Sequence, residues 1–312
     1  MTTRNSPSIV TMGHRRDRVR RAALSILCAF AIAHVAVGRV NAQAADATLD
    51  SLVGLYRDAS GSTAIFWRTA PGQIAVGFDS GEVRRLSGSN GTYTYGPSLG
   101  VAGPVQGSIA RRGRTLDSIA RLTEGATERM YVRVPVRETP VSWENGGVRI
   151  EGTLIVPPGR GPFTGVLMLQ GAGRETRESS RVIAYWLAAH AVASLIYDKR
   201  STGSSTGTSF NVPFADLARD ALGGVALLRQ DPAIRRDQIG LFGPSQGSWI
   251  ALAATQLDSD IAFLILQSGD ATTPLEQEMY RVVSYLRSER ARGVQRSAAL
   301  TDSDLVALTA FR

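Results

Sequence analysis

The sequence is poor in the residues that most often carry catalysis or cross-linking: of 312 residues, one is cysteine (Cys28) and three are histidine (His14, His34 and His190). A single thiol excludes a disulfide scaffold. Too few histidines and cysteines remain for a ligand-spaced cluster, so a metal enzyme is not expected. No apolar run reaches the roughly 20 residues of a membrane span. The most apolar stretch, Ala22 to Val37, is interrupted by Ser25 and His34. Neither glycine-rich loop has the pattern of a phosphate cradle, so nucleotide binding is not expected and no cofactor is implied. What the chain does have is 43% hydrophobic residues, ample for one large or two small packed domains, which excludes a collagen-like or wholly disordered chain.

The formal charge of +8 resembles a nucleic-acid or membrane signal until it is located along the chain. Residues 1–44 hold seven of the 35 basic residues (Arg4, Arg15, Arg16, Arg18, Arg20, Arg21 and Arg39) and one of the 27 acidic ones (Asp17), leaving 28 and 26 for the rest. Nucleic acid is therefore not an expected partner. A basic cluster, an apolar stretch and Ala42-Gln43-Ala44 follow one another as in a secretory signal peptide. Cleavage after Ala44 and export, periplasmic or extracellular, are expected, with no stable membrane span after processing. The paired arginines are compatible with twin-arginine export, and Met12 is an alternative start. The exported chain would contain no cysteine.

Residues 45–137 read as short strands (63–68, 73–78, 83–86, 92–95, 118–122 and 129–134), with Asp79-Ser80-Gly81 and Ser89-Asn90-Gly91 among the turns. Spacing of this kind predicts a small antiparallel β domain serving as a support or oligomerisation module. From residue 138 to 312 the texture changes. Apolar strands at 148–156, 165–169, 193–197, 239–242 and 261–267 alternate with helical segments at 180–190, 214–230 and 246–257. The alternation predicts an α/β fold with a mostly parallel sheet covered on both faces, whose chemistry lies at the carboxyl ends of the strands.

Gly-x-Ser-x-Gly occurs three times, around Ser98, Ser205 and Ser245. A nucleophile elbow needs a strand ending at the first glycine and a helix opening at the serine. Ser98 leads into Gly100-Val101-Ala102-Gly103-Pro104 and reads as a hairpin loop; Ser205 lies well before the next helix. Only Ser245 has a strand, Ile239-Gly240-Leu241-Phe242, before it and a helix from Gln246 after it, with Gly243 and Gly247 as the elbow glycines. The competing reading is a helix N-cap serine. For an oxyanion hole, the backbone N–H groups of Gln246 and of Ala172, in the Gln170-Gly171-Ala172-Gly173 loop after the first parallel strand, are the candidates.

These segments, with Tyr197-Asp198-Lys199-Arg200-Ser201-Thr202-Gly203-Ser204 after the next strand and Ser268-Gly269 before Pro274-Leu275-Glu276-Gln277-Glu278, resemble the α/β-hydrolase superfamily. Within it they are most similar to bacterial serine carboxylesterases of the EstD-like kind, over residues 139–292 well and over the β region loosely. The resemblance implies a signal peptide, a β-rich N-terminal domain, a helical lid after the sixth strand, a small-molecule ester substrate, a Ser-Asp-His triad and no cofactor. The chain departs from that pattern in having Gln170-Gly171 for His-Gly, Ser201 for glycine, and Pro244 and Ser248 around the elbow for histidine and glycine.

In this fold the triad runs serine, acid, histidine along the chain, yet no histidine follows Ser245. His190 closes a helix on the amino-end side of the sheet. Asp198 orders its loop in relatives, and Asp270, just past the sixth strand, is the candidate acid. Ile261 to Leu266 is apolar on both faces, and only helical sequence follows it. That arrangement predicts a bare sheet edge of the kind natural sheets avoid. The expectation is a C-terminally shortened serine esterase, impaired for lack of the triad histidine. The alternatives are a serine peptidase of acyl- or aminopeptidase type and a non-catalytic binding protein.

Overall fold

A computed structural model describes residues 51–70, 73–89, 92–96, 107–112, 119–124, 127–208, 212–269 and 272–292. The leader at 1–44, Ser98 and Asp270 lie outside the described residues. The chain divides into two compact units. One comprises residues up to Arg137 with Ile155–Gly159 and Arg181–Ala191; the other comprises Glu138–Leu154, Arg160–Ser180 and the residues from Val192 onward.

In the first unit eight strands form a closed antiparallel barrel in sequence order: β1 (Gly54–Arg57), β2 (Thr63–Ala70), β3 (Gln73–Phe78), β4 (Val83–Ser89), β5 (Thr92–Tyr95), β6 (Gly107–Arg112), β7 (Ile119–Glu124) and β8 (Thr127–Arg133). Closure is made by Tyr56 opposite Arg133 and Arg57 opposite Val132. Alternation along the strands sends Ala64 and Phe66, Ile74 and Val76, and Tyr93 and Tyr95 inward as the core. The strands β1 and β6 do not stand out in the sequence, one being only Gly-Leu-Tyr-Arg and the other ending in Arg111-Arg112. Both are held by pairing on each side, which also leaves the barrel without an exposed edge.

The second sheet has the order β14 (Phe263–Gln267), β13 (Ile234–Pro244), β11 (Phe163–Met168), β12 (Val192–Tyr197), β10 (Val148–Val156), β9 (Arg137–Asn145). The strand β11 runs parallel to both β12 and β13, and β13 runs parallel to β14. Val166, Leu167, Met168, Leu195, Ile196, Ile239, Leu241 and Phe242 are all buried, as a sheet covered on both faces requires. The helices are α1 (Arg177–Ala189), α2 (Phe214–Gln230), α3 (Gln246–Leu257) and α4 (Pro274–Ala291). At the edge, β14 pairs with β13 alone among the described residues, and Ile265 and Leu266 are exposed.

The helix α2 buries Leu217, Ala218, Ala221, Gly224, Val225 and Leu228, the three-to-four spacing of one helical face. A Cβ at Gly223 would lie 2.2 Å from the Trp143 ring. Glycine in a helix costs about 1 kcal/mol relative to alanine, and here it allows the helix to seat on that indole, whose Nε1–H donates to the Asp220 carbonyl at 2.7 Å.

A bidentate pair ties α2 to the end of α3: Arg229 Nη1 and Nη2 lie 2.7 and 3.1 Å from the Asp258 carboxylate. The guanidinium holds the Asp258 carboxyl below its ordinary value. The unfolded chain therefore takes up this proton first as pH falls. The pair's contribution is complete above about pH 4 and is lost as pH drops through the folded value. Replacing Asp258 by Asn is expected to remove about 0.5–1 kcal/mol at neutral pH and to flatten the acid limb of the stability curve. Urea melts of both proteins at neutral and acid pH measure this; coincident neutral midpoints would contradict it.

Candidate active site

At the carboxyl end of β13 the chain turns sharply into α3, and Ser245 occupies the turn at φ 49° and ψ −119°. A non-glycine residue held there stores about 1–3 kcal/mol of strain. The surroundings enforce it: the Ser245 N–H donates to the Gln267 carbonyl at 2.8 Å, and the Ser248 N–H donates to the Ser245 carbonyl at 2.9 Å. Both elbow glycines are required by close approach. A Cβ at Gly243 would sit 2.4 Å from the Gly247 carbonyl oxygen, and one at Gly247 would sit 3.0 Å from the Pro244 ring and 3.1 Å from the Gln170 carbonyl oxygen. Ser248 donates its hydroxyl to the Gly243 carbonyl at 2.7 Å. Ser245 is exposed, and its side chain makes no capping hydrogen bond to α3, which separates it from an N-cap serine.

The loop after β11 lies against this elbow. Gln170, buried, donates Nε2 to the Tyr197 carbonyl, and Gly171 donates its N–H to Glu175 Oε2 at 3.2 Å. Gln246 opens α3, where N–H groups have no intrahelical acceptor. The Ala172 N–H meets no backbone acceptor among the described residues. The Gln246 N–H follows the serine directly, and the Ala172 N–H lies in the loop whose Gln170 and Gly171 approach Gly247 and Pro244.

Lys199, two residues beyond β12, is the member of this cluster that sequence reasoning did not single out. Its Nζ donates to the Gly171 carbonyl at 2.8 Å and to Gln246 Oε1 at 2.6 Å, and the residue is only 6% exposed. Burial pushes its ammonium below the ordinary lysine value, with the Glu175 carboxylate opposing. The only sequence signal was a cation directly after an apolar parallel strand.

The other candidates are accounted for by different partners. The buried Asp198 carboxylate accepts the N–H groups of Arg177 (2.8 Å) and Ser204 (2.9 Å) and pairs with the Arg177 guanidinium at 3.4 Å, so it orders its own loop. Ser205 is buried, donating to the Asp198 carbonyl at 2.7 Å and accepting the Glu151 N–H at 2.9 Å. Ser201 stands at φ 64°, a left-handed conformation that glycine adopts without strain. His190 bonds through Nδ1 to the Trp186 carbonyl at 2.8 Å and stacks on the Trp186 ring, just before β12 begins. It stands two residues before β12 in the chain. A cavity of about 280 Å³ lined by Phe78, Asp79, Glu82, Tyr95, Arg129 and Tyr131 belongs to the barrel and shares no residue with this cluster. No helix among the described residues is long and apolar enough to cross a membrane, and among them no three His, Cys, Asp or Glu side chains converge as a metal site.

No protein-family model matches the chain. The chain is 28% identical over 184 residues to mouse mitochondrial acyl-coenzyme A thioesterase 2, a match covering 57% of this chain and 38% of the relative. It is 28% identical over 120 residues to the polyketide transferase GrgF of a Penicillium species, covering 38% of this chain and 40% of that one. The crystal structure of GrgF, described as an α/β hydrolase, superposes with a TM-score of 0.39 at 25% identity, over 50% of this chain and 56% of that chain. The chain is thus similar in sequence to a thioesterase and to a polyketide transferase, each over part of its length. It spans about two fifths of the length of the curated relatives it matches. The strained serine, the glycines against it and the Ala172 and Gln246 N–H groups all belong to the unit that contains the parallel sheet.

Proposed function

We propose that the chain is a serine acyl hydrolase of carboxylesterase type, acting on small ester or thioester substrates through Ser245. The observation that carries the reading is Ser245 itself, exposed, uncapped and held at φ 49° between strand and helix. Attack of its Oγ on an acyl carbonyl moves negative charge onto the carbonyl oxygen, where the N–H groups of Ala172 and Gln246 and the amino end of α3 oppose it. Collapse expels the alcohol or thiol and leaves an acyl-serine, which water then hydrolyses. The proton on Oγ needs an acceptor, and no histidine follows Ser245 in the sequence.

Imidazole in solution can accept that proton. Hydrolysis of p-nitrophenyl butyrate in rising imidazole is expected to be about tenfold faster with this chain than with Ser245→Ala. Equal rates in both proteins at every imidazole concentration would overturn the reading. Export with cleavage after Ala44 belongs to the same proposal, motivated by the arginine cluster and apolar stretch ahead of it. Mass spectrometry of the exported fraction should find a first residue near Ala45, and retention of residues 15–40 would refute processing.

A further inference from the structure

Resting on the Ser245 reading, we propose that Lys199 is a positioning residue that aims and polarises the oxyanion donors. The strand order sets the stage: β11 lies between β12, which delivers Lys199, and β13, which delivers Ser245. The loop leaving β11 is therefore flanked by the lysine on one side and the elbow on the other. The Lys199 ammonium grips the Gly171 carbonyl at 2.8 Å. That carbonyl and the Ala172 N–H belong to one planar trans peptide group and point in opposite directions. Holding the oxygen on the ammonium therefore fixes the direction of the Ala172 N–H. The contact also acts electronically, because an ammonium on the carbonyl draws density from the peptide and strengthens its N–H as a donor.

The second bond reaches the other donor residue. Gln246 Oε1 accepts from the same Nζ at 2.6 Å, fixing the first residue of α3, whose backbone N–H is the second donor. One buried cation thus connects both halves of the hole across 28 and 47 residues of sequence. A lysine serving only to anchor a loop would need one of these bonds. Lys199 makes both, one to the peptide group that carries the Ala172 N–H and one to the side chain of Gln246.

The test uses a probe that needs no base. Phenylboronic acid accepts the Ser245 Oγ lone pair, forming an O–B bond and a tetrahedral boronate anion while the serine proton passes to solvent. The charged adduct presents an oxygen to the donors and is read by boron NMR. The proteins compared are the full chain, Ser245→Ala, Lys199→Met, which keeps a similar stem without the ammonium, and Gln246→Met, which removes one lysine acceptor but leaves both backbone donors; thermal melting checks that each folds. The full chain should form the adduct and Ser245→Ala should not. Lys199→Met should bind at least about tenfold more weakly, in line with the loss of a donor from such a hole, and Gln246→Met should fall between. A folded Lys199→Met that binds as tightly as the full chain would overturn the role of Lys199 and leave the serine reading intact. Where Lys199→Met does not fold, unchanged affinity in Gln246→Met does the same. No adduct with the full chain, or an undiminished one with Ser245→Ala, would overturn the serine reading and this proposal with it.

Discussion

Without added base, this chain and its Ser245→Ala variant are expected to hydrolyse a short p-nitrophenyl ester at nearly the same slow rate. A serine hydroxyl is a weak nucleophile until a neighbouring group takes its proton. The histidines are His14, His34 and His190; none follows Ser245, and His190 is bonded to the Trp186 carbonyl before β12 begins. Lys199 donates to the Gly171 carbonyl and to Gln246 Oε1. As an ammonium engaged in this way it acts as a donor, not as a base. Loss of a whole triad lowers turnover by about 10⁶, and the donors and binding that remain are worth about 10³–10⁴ over water. Rates for the two proteins should therefore differ far less than in a serine hydrolase with a Ser-His-Asp triad. Fast turnover by the chain that disappears in Ser245→Ala would contradict the expectation and make His190 the first residue to replace.

Substituting Asp220 by Ala is expected to be the most damaging single change in the parallel-sheet unit, at about 3–5 kcal/mol. Its carboxylate receives Arg200 Nε and Nη2, both at 2.7 Å, and Asn145 Nδ2 at 2.7 Å, with Arg200 and Asp220 8% and 2% exposed. Donating these hydrogen bonds to Asp220 raises the affinity of the Arg200 guanidinium for its proton, and removing the acid leaves a buried cation without its counter-charge. The double replacement Arg200→Met with Asp220→Leu should recover most of the loss, because two apolar groups leave no uncompensated charge. Urea melts of the four proteins measure the coupling. An Asp220→Ala midpoint near that of the full chain would show that the pair contributes little. The consequence reaches the site, since Arg200 is the neighbour of Lys199 on the loop after β12.

Some of this was legible in residue order, because it depends on local constraint. Apolar strands alternating with helices of three-to-four spacing specify a parallel sheet with covered faces, and the residues at 163–168, 192–197 and 239–244 form it. The elbow was legible for the same reason: glycines two positions either side of Ser245 are needed wherever a strand turns at once into a helix, and the clashes at Gly243 and Gly247 are the physical form of that need. The barrel was legible only as short antiparallel strands. Its closure through β1 and β8 joins residues that local pattern does not connect.

By itself, then, the sequence determined the α/β alternation, the elbow and the scarcity of bases, since period, glycine spacing and residue counts are properties of neighbouring positions or of the whole list. Tertiary structure alone decided that Ser245 leaves its hydroxyl uncapped, that Ser205 is consumed in hydrogen bonds, and that Lys199 joins Gly171 to Gln246. Those outcomes depend on β11 lying between β12 and β13. Strand order arises from pairing across long separations, and no local pattern encodes which loops it will bring side by side.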